Sequence, residues 1–255
     1  MSHAIVKADA HKRSTFILLS VAVLLSPMLI PSAFAMSAAA QVTTVENENH
    51  SCTELQVFSR RSKDQRVLSC LLTQLQYYQQ DSMTARQQYF AYKAQAWLNY
   101  AIHKKSMNNR SSIGMQAAQI AEDILLALKN GTETDLPLIQ DIPSNGTLMR
   151  SDLWATLSAL KAQGGIASAP REIAFSEVAL IWATNNYCER GERESGSLFR
   201  MADRWVEQAR EAYINNHDSQ TNVALEGLIV YYYKQYAPVD SSAHICQGQI
   251  LTTTT

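Results

Sequence analysis

Downstream of residue 67 the apolar residues return every three or four positions. Leu68, Leu71, Leu72 and Leu75 set the interval, and Ala94, Trp97, Leu98, Ala101 and Ile102 repeat it. It recurs in Ala117, Ile120, Ala121, Ile124, Leu125 and Leu128, in Leu198, Met201, Ala202 and Trp205, and in Leu225, Leu228, Ile229 and Tyr232. A helix advances about 100° per residue, so each set forms one apolar stripe, whereas the two-residue alternation of a strand is nearly missing. The spacing predicts an all-α fold, a bundle or short solenoid of about seven to eight amphipathic helices arranged as hairpins.

The residues between the stripes agree with this. Asp81-Ser82 is expected to cap the helix that follows the Gln-rich end of its predecessor. Lys129-Asn130-Gly131 reads as a last-turn cation and a stop, and residues 135–147, with Pro137, Pro143 and Asn145-Gly146, as a loop. Ser151 should cap a short helix ending at Gly164-Gly165, and Pro170 suits the first turn of the next. Asn215-Asn216-His217-Asp218 separates the last two long helices, and Pro238 ends the final one. At an offset of 82 residues, Ala94, Ala96, Leu98 and Ala101 match Ser176, Val178, Leu180 and Ala183. Each of these segments is followed by a second helix, residues 117–129 and 198–212, as in stacked helix hairpins or in two ordinary hairpins.

The first 35 residues are expected to be a secretory signal peptide. Lys7, Lys12 and Arg13 precede an apolar run over residues 16–30, and Ala33-Phe34-Ala35 offers small residues at the cleavage positions. Pro27 and Pro31 interrupt the run, which disfavours an uncleaved membrane anchor. Residues 36–50 are small and polar and read as a tail, residues 51–238 as the helical-hairpin domain, and residues 239–255 as a C-terminal tail. With 22 Lys and Arg against 23 Asp and Glu, there is no electrostatic footprint for nucleic acid. No membrane span is expected after cleavage.

Export would place the four cysteines, Cys52, Cys70, Cys188 and Cys246, in an oxidising compartment, where an even count reads as two disulfides. A straight helix from 52 to 70 would hold those two sulfurs far apart at about 1.5 Å per residue, so a turn near Ser59-Arg60-Arg61-Ser62 or distant partners are required. The C-terminal tail has few apolar residues to keep it docked. That favours Cys188–Cys246, with Cys52–Cys70 by elimination, while Cys52–Cys188 with Cys70–Cys246 stays open.

No catalytic constellation stands out. Ser195, between Gly191 and Gly196, lacks the spacing of a nucleophile elbow and reads as a loop serine. His50, His103, His217 and His244 stand alone, and the His244/Cys246 pair lacks a second ligand pair, so no metal site is expected. Glu122 and Asp123 are adjacent on a helix and diverge. The alternating charges of residues 189–194 read as a solvated helix end and turn. No phosphate loop or dinucleotide fingerprint occurs, and no cofactor is expected. The sequons at Asn49, Asn109, Asn130 and Asn145 matter only in a eukaryotic secretory pathway. Trp97 and Trp182 are expected to anchor the core of two equivalent helices. Tyr231, Tyr232 and Tyr233 cannot all point inward from one helix, so at least one should be exposed as a candidate partner contact.

Two stretches, residues 92–101 (YKAQAWLNYA) and 177–191 (EVALIWATNNYCERG), resemble the two signature helices of an α-helical periplasmic region of Gram-negative bacteria. In that family the region often precedes an OmpA-like peptidoglycan-binding domain. The resemblance covers roughly residues 89–212 and implies a periplasmic location. It implies no catalytic residue. After Ala212 the sequence offers one more helix and a tail and lacks the Asp/Arg-containing binding motif, so peptidoglycan binding does not carry over. The expected function is that of a non-catalytic helical binding or scaffolding module of the cell envelope, with an unknown envelope protein as partner. The alternatives are an envelope enzyme whose site is assembled from distant residues, or a protein anchored in the inner membrane by its uncleaved leader. N-terminal sequencing of protein purified from the envelope is expected to begin near Met36, and an intact Met1 would refute cleavage.

Overall fold

The computed structural model describes residues 63–107, 112–138, 149–236 and Cys246. Among these the chain forms seven α-helices and no strand: α1 (Lys63–Tyr77), α2 (Ala85–Ser106), α3 (Ser112–Asn130), α4 (Ser151–Ala162), α5 (Pro170–Arg190), α6 (Glu192–Asn215) and α7 (Ser219–Tyr236). A short 3-10 turn, Gly165–Ala167, joins α4 to α5. The fold is all-α, as the apolar spacing requires. None of these helices is long and apolar enough to cross a membrane. The leader, the tail over residues 36–50, the turn at residues 59–62 and the Thr-rich end lie outside the described residues. So do His50, His244, Pro238, Asn49, Asn109, Asn145 and most of the Pro-containing loop.

Local chemistry sets the helix ends. The cap of α2 is Thr84, not Asp81-Ser82. Its hydroxyl accepts from the Gln87 amide at 3.2 Å and the Gln87 side chain accepts from the Thr84 amide at 3.1 Å, a reciprocal capping box. The last turn of α2 carries His103, Lys104 and Lys105, the sign that suits its dipole. Ser151 is not a cap either. It is the first residue of α4, and the cap position belongs to Arg150 at φ +60°, a backbone region that disfavours side chains. Arg150 is held there by ion pairs of 2.9 Å to Asp152 and to Asp203 of α6. Pro170 opens α5 as expected, and Gly191 at φ +85° lets the chain reverse directly into α6.

The central pair is α2 and α5. Each folds back on its successor, giving the hairpins α2–α3 and α5–α6 at the two repeat positions. Contacts run in step along both helices: Tyr89 meets Glu177, Tyr100 meets Asn185 and Lys104 meets Glu189. The two helices are therefore parallel. Buried alanines recur along both helices, Ala91, Ala94 and Ala101 on α2 and Ala174, Ala179 and Ala183 on α5. α1 lies against α2, and α4 lies against α7 and α6. Gly165 touches the end of α4 so closely that a Cβ there would sit 2.8 Å from the Leu160 carbonyl oxygen, leaving no room for alanine.

Trp97 is completely buried, as its stripe predicts. Trp182 is not a central anchor. It is only partly buried, at the rim of the α2–α5 seam, between the rings of Tyr100 (4.8 Å) and His103 (4.9 Å). The second tryptophan in the interior is Trp154 of α4. Val178 and Asn186, one turn to either side on the same face, are buried, so the face itself is covered and it is the large indole that reaches the rim. Cys188 is joined to Cys246 with a Cα–Cα distance of 5.5 Å, which excludes a Cys70–Cys246 bridge. Cys70 is also in a disulfide, and Cys52, its expected partner, lies outside the described residues. Trp97→Ala is expected to lower the unfolding free energy by about 3–5 kcal/mol. Trp182→Ala should lower it by clearly less. Urea titration of both variants checks the order.

Candidate functional site

The α2–α5 seam carries charge where the periodicity calls for core. Tyr89, Lys93, Trp97, Tyr100 and Lys104 share one face of α2, and all five are buried. Opposite Tyr89 and Lys93, α5 presents Glu177, 1% exposed. Both of its carboxylate oxygens are engaged. The Tyr89 hydroxyl donates to Oε2 at 2.5 Å, and the Lys93 ammonium lies 3.3 Å from the same oxygen. Lys161 of α4 donates to Oε1 and also to the Leu138 carbonyl, at 2.7 Å. Lys93 further donates to the Tyr89 hydroxyl at 3.2 Å. One carboxylate thus ties α2, α4, α5 and the segment after α3 together.

Its electrostatics follow from these contacts. Burial alone would raise the Glu177 pKa, but the charges of Lys161 and Lys93 and the hydrogen bonds from Lys161 and Tyr89 outweigh it, so the carboxyl is held below the usual range. The Tyr89 phenol is pushed well above its ordinary value, by burial first and by the Glu177 charge second. The carboxylate is therefore an anion whose two oxygens are already committed to Tyr89, Lys93 and Lys161, and the phenol keeps its proton. That arrangement suits a structural clamp rather than a general base or nucleophile.

Three turns further on, a second charged cluster closes the same seam. Lys104 donates to Glu189 at 2.6 Å and to the Asn186 side-chain oxygen at 3.2 Å, and its ammonium lies 5.5 Å from the Tyr100 ring centroid. Asn185 donates to the Tyr100 hydroxyl at 3.3 Å. Glu189 is thus not part of a purely solvated run; it neutralises a buried lysine one residue after the Cys188–Cys246 bridge. Burial lowers the pKa of His103, and the charges of Lys104 and Arg190 lower it further.

The remaining candidates fall elsewhere. Ser195 lies not in a loop but in the first turn of α6, buried, its hydroxyl bonded to the Glu192 carbonyl at 3.0 Å. Glu122 and Asp123 are both exposed on α3. His217 stacks on Tyr213 at 3.9 Å. Among the described residues no three His, Cys, Asp or Glu side chains are placed to share a metal ion. Of the three tyrosines on α7, Tyr231 and Tyr233 are 55% and 48% exposed, whereas Tyr232 turns toward the core and stacks on Tyr236. The inward side of α7 is itself apolar: Leu225 is buried, and Leu228, Ile229, Tyr232 and Tyr236 pack against the core. Val223 and Val230 join the exposed side at 72% and 53%. On the side of α7 away from the core, Val223 and Val230 are thus left uncovered among the described residues, with Tyr231 on one flank and Tyr233 on the other.

The spacing did not single out the charged seam as a site, although it carried a signal: Lys93, Lys104 and Glu177 each occupy a position that the helical repeat assigns to the core. In comparisons with known proteins, no family model, no curated protein and no solved structure matches this chain.

Glu177→Gln leaves two buried ammonium groups facing a neutral amide and is expected to destabilise the fold by about 3–5 kcal/mol at neutral pH. Because the folded carboxyl titrates below its ordinary value of 4.5, its contribution is complete above that pH. It is lost as pH falls through the lower, folded value. Urea midpoints measured from pH 7 downward should therefore fall in acid for the wild type and change less for Glu177→Gln. Parallel pH curves would contradict the assignment.

Proposed function

We propose that this chain is a non-catalytic protein of the cell envelope, exported to the periplasm of a Gram-negative bacterium, where it acts as a helical binding or scaffolding module. The observation that carries the binding role is the outward side of α7, where Val223, Val230, Tyr231 and Tyr233 are exposed and uncovered among the described residues. Exposed Tyr with aliphatic neighbours is the chemistry of an interface. The leader-like first 35 residues and the Cys188–Cys246 bridge support export to an oxidising compartment. The likeness of residues 92–101 and 177–191 to a periplasmic helical region supports the same compartment. The buried seam supports the scaffolding role, since it locks α2, α4 and α5 into one body that can present α7 rigidly.

A photo-reactive residue at Tyr231 or Tyr233, in the full chain expressed in its exporting host, should yield covalent protein adducts on illumination. The same residue at Glu122, exposed on α3, serves as the control. Yields from α7 no higher than from Glu122 would sink the binding reading.

A further inference from the structure

Residues half a turn from the buried Leu225 are Val223, Gly227, Val230 and Lys234, and all four are exposed. A methyl group added at Gly227 would meet nothing within 4 Å, so a ring from outside can approach the helix backbone there. Glu226 and Tyr233 flank the row on the side facing α6. Arg210 of α6 donates to Oε1 of Glu226 at 2.5 and 3.2 Å, and Oε2 makes no contact of its own among the described residues. Lys234, in the last turn, has no acidic partner among the described residues.

We infer that this face self-associates: α7 of one copy packs antiparallel on α7 of a second, about a two-fold axis at Val230. The inference rests on reading the α7 face as the binding surface and names its occupant. Around that axis, residues equally distant from 230 meet. Glu226 and Lys234 of the second copy lie at one level on either side of the axis, within reach of each other's long side chains, and Val230 meets Val230. The symmetry forms each unequal contact twice. A parallel two-fold pair would instead set lysine beside lysine and glutamate beside glutamate, which the charges oppose. Without the first 35 residues, which hold Lys7, Lys12, Arg13 and Asp9, the net charge of −1 becomes −3, a modest repulsion between copies. One helix face buries less than the roughly 1,200 Å² of a stable interface, so the association is reversible and concentration dependent.

Sedimentation equilibrium of the disulfide-intact protein should show a mass rising from one chain to two with concentration. Lys234→Glu and Glu226→Lys each set like charges opposite one another in a homodimer, and each should weaken association about tenfold or more. Mixed in equal amounts, the two variants should associate again, because the mixed pair sets acid against base at both ends. Helical circular dichroism checks that each variant folds. As an independent measure, Val230→Cys should form a disulfide-linked chain pair under mild oxidation. Wild type at single-chain mass at every concentration, single variants that associate like wild type, or a mixture that stays single-chain would each overturn the inference. Adducts at Tyr231 to a different protein, with the wild type single-chain, overturn self-association but leave the binding surface standing. No adducts at all overturn both.

Discussion

Glu177 carries a full negative charge into the interior, and the arrangement of the surrounding helices follows from the need to neutralise it there. An isolated carboxylate would be expelled or protonated at that depth. It stays ionised because Lys93 reaches it from α2 and Lys161 from α4, while Tyr89 donates to it along the seam. These partners set a register as well as a charge balance. A shift of α5 by one turn, about 5.4 Å, would separate the carboxylate from all of them. Apolar packing tolerates such a slip far better, because it is non-directional. The ionic contacts therefore select one alignment among those that apolar packing alone would allow, which is the best-supported use of a buried ion pair.

The same logic repeats toward the far end of the seam and at its boundaries. Lys104 with Glu189 and Asn186 ties the C-terminal turns of α2 and α5, and the Cys188–Cys246 bridge lies between those two partners in sequence, so the chain's last described residue is held where the seam closes. At the opposite end, Arg86 in the first turn of α2 donates to the carbonyls of Glu133, Thr134 and Leu136, ordering the chain beyond α3. That segment supplies the Leu138 carbonyl to Lys161. Arg86, Lys93 and Lys104 thus act at three levels of one helix, and each joins α2 to a segment distant in sequence.

How far this could be read in advance depends on the kind of interaction. Helix number and order follow from apolar spacing, because burial of apolar surface is the strongest force driving the chain together and it leaves a period in the sequence. The ends proved harder. Asp81-Ser82 and Thr84 are all competent caps, and only the partner at Gln87 decides for Thr84. Ser151 is a good cap residue by type, yet ion pairs to Asp152 and Asp203 hold Arg150 in the cap position instead. Trp97 and Trp182 look alike in their stripes, and which of the two is fully covered depends on packing across the seam. The charged seam itself was partly visible. Lys93 and Glu177 both occupy positions that the helical repeat assigns to the core, but sequence alone does not say that they touch.

The distribution of polarity in the finished fold is inverted between its centre and its edge. α2 and α5 direct ammonium and carboxylate groups inward, where each finds a partner; α7 directs valine and tyrosine side chains outward, where the described residues leave them uncovered. Interior charge restrains the scaffold to one alignment at little gain in stability, which suits a body whose shape matters more than its robustness. The outward apolar face would lower solubility if it had no occupant. The two features complement each other physically, because a surface helix presents a reproducible binding face only if the helices beneath it cannot slide. α4 makes that connection directly: Lys161 grips Glu177 from one side of the helix, while Ser158 shares a hydrogen bond of 2.9 Å with Tyr236 of α7. Loosening the central carboxylate would therefore be felt at the α7 face through α4, a short path of two contacts.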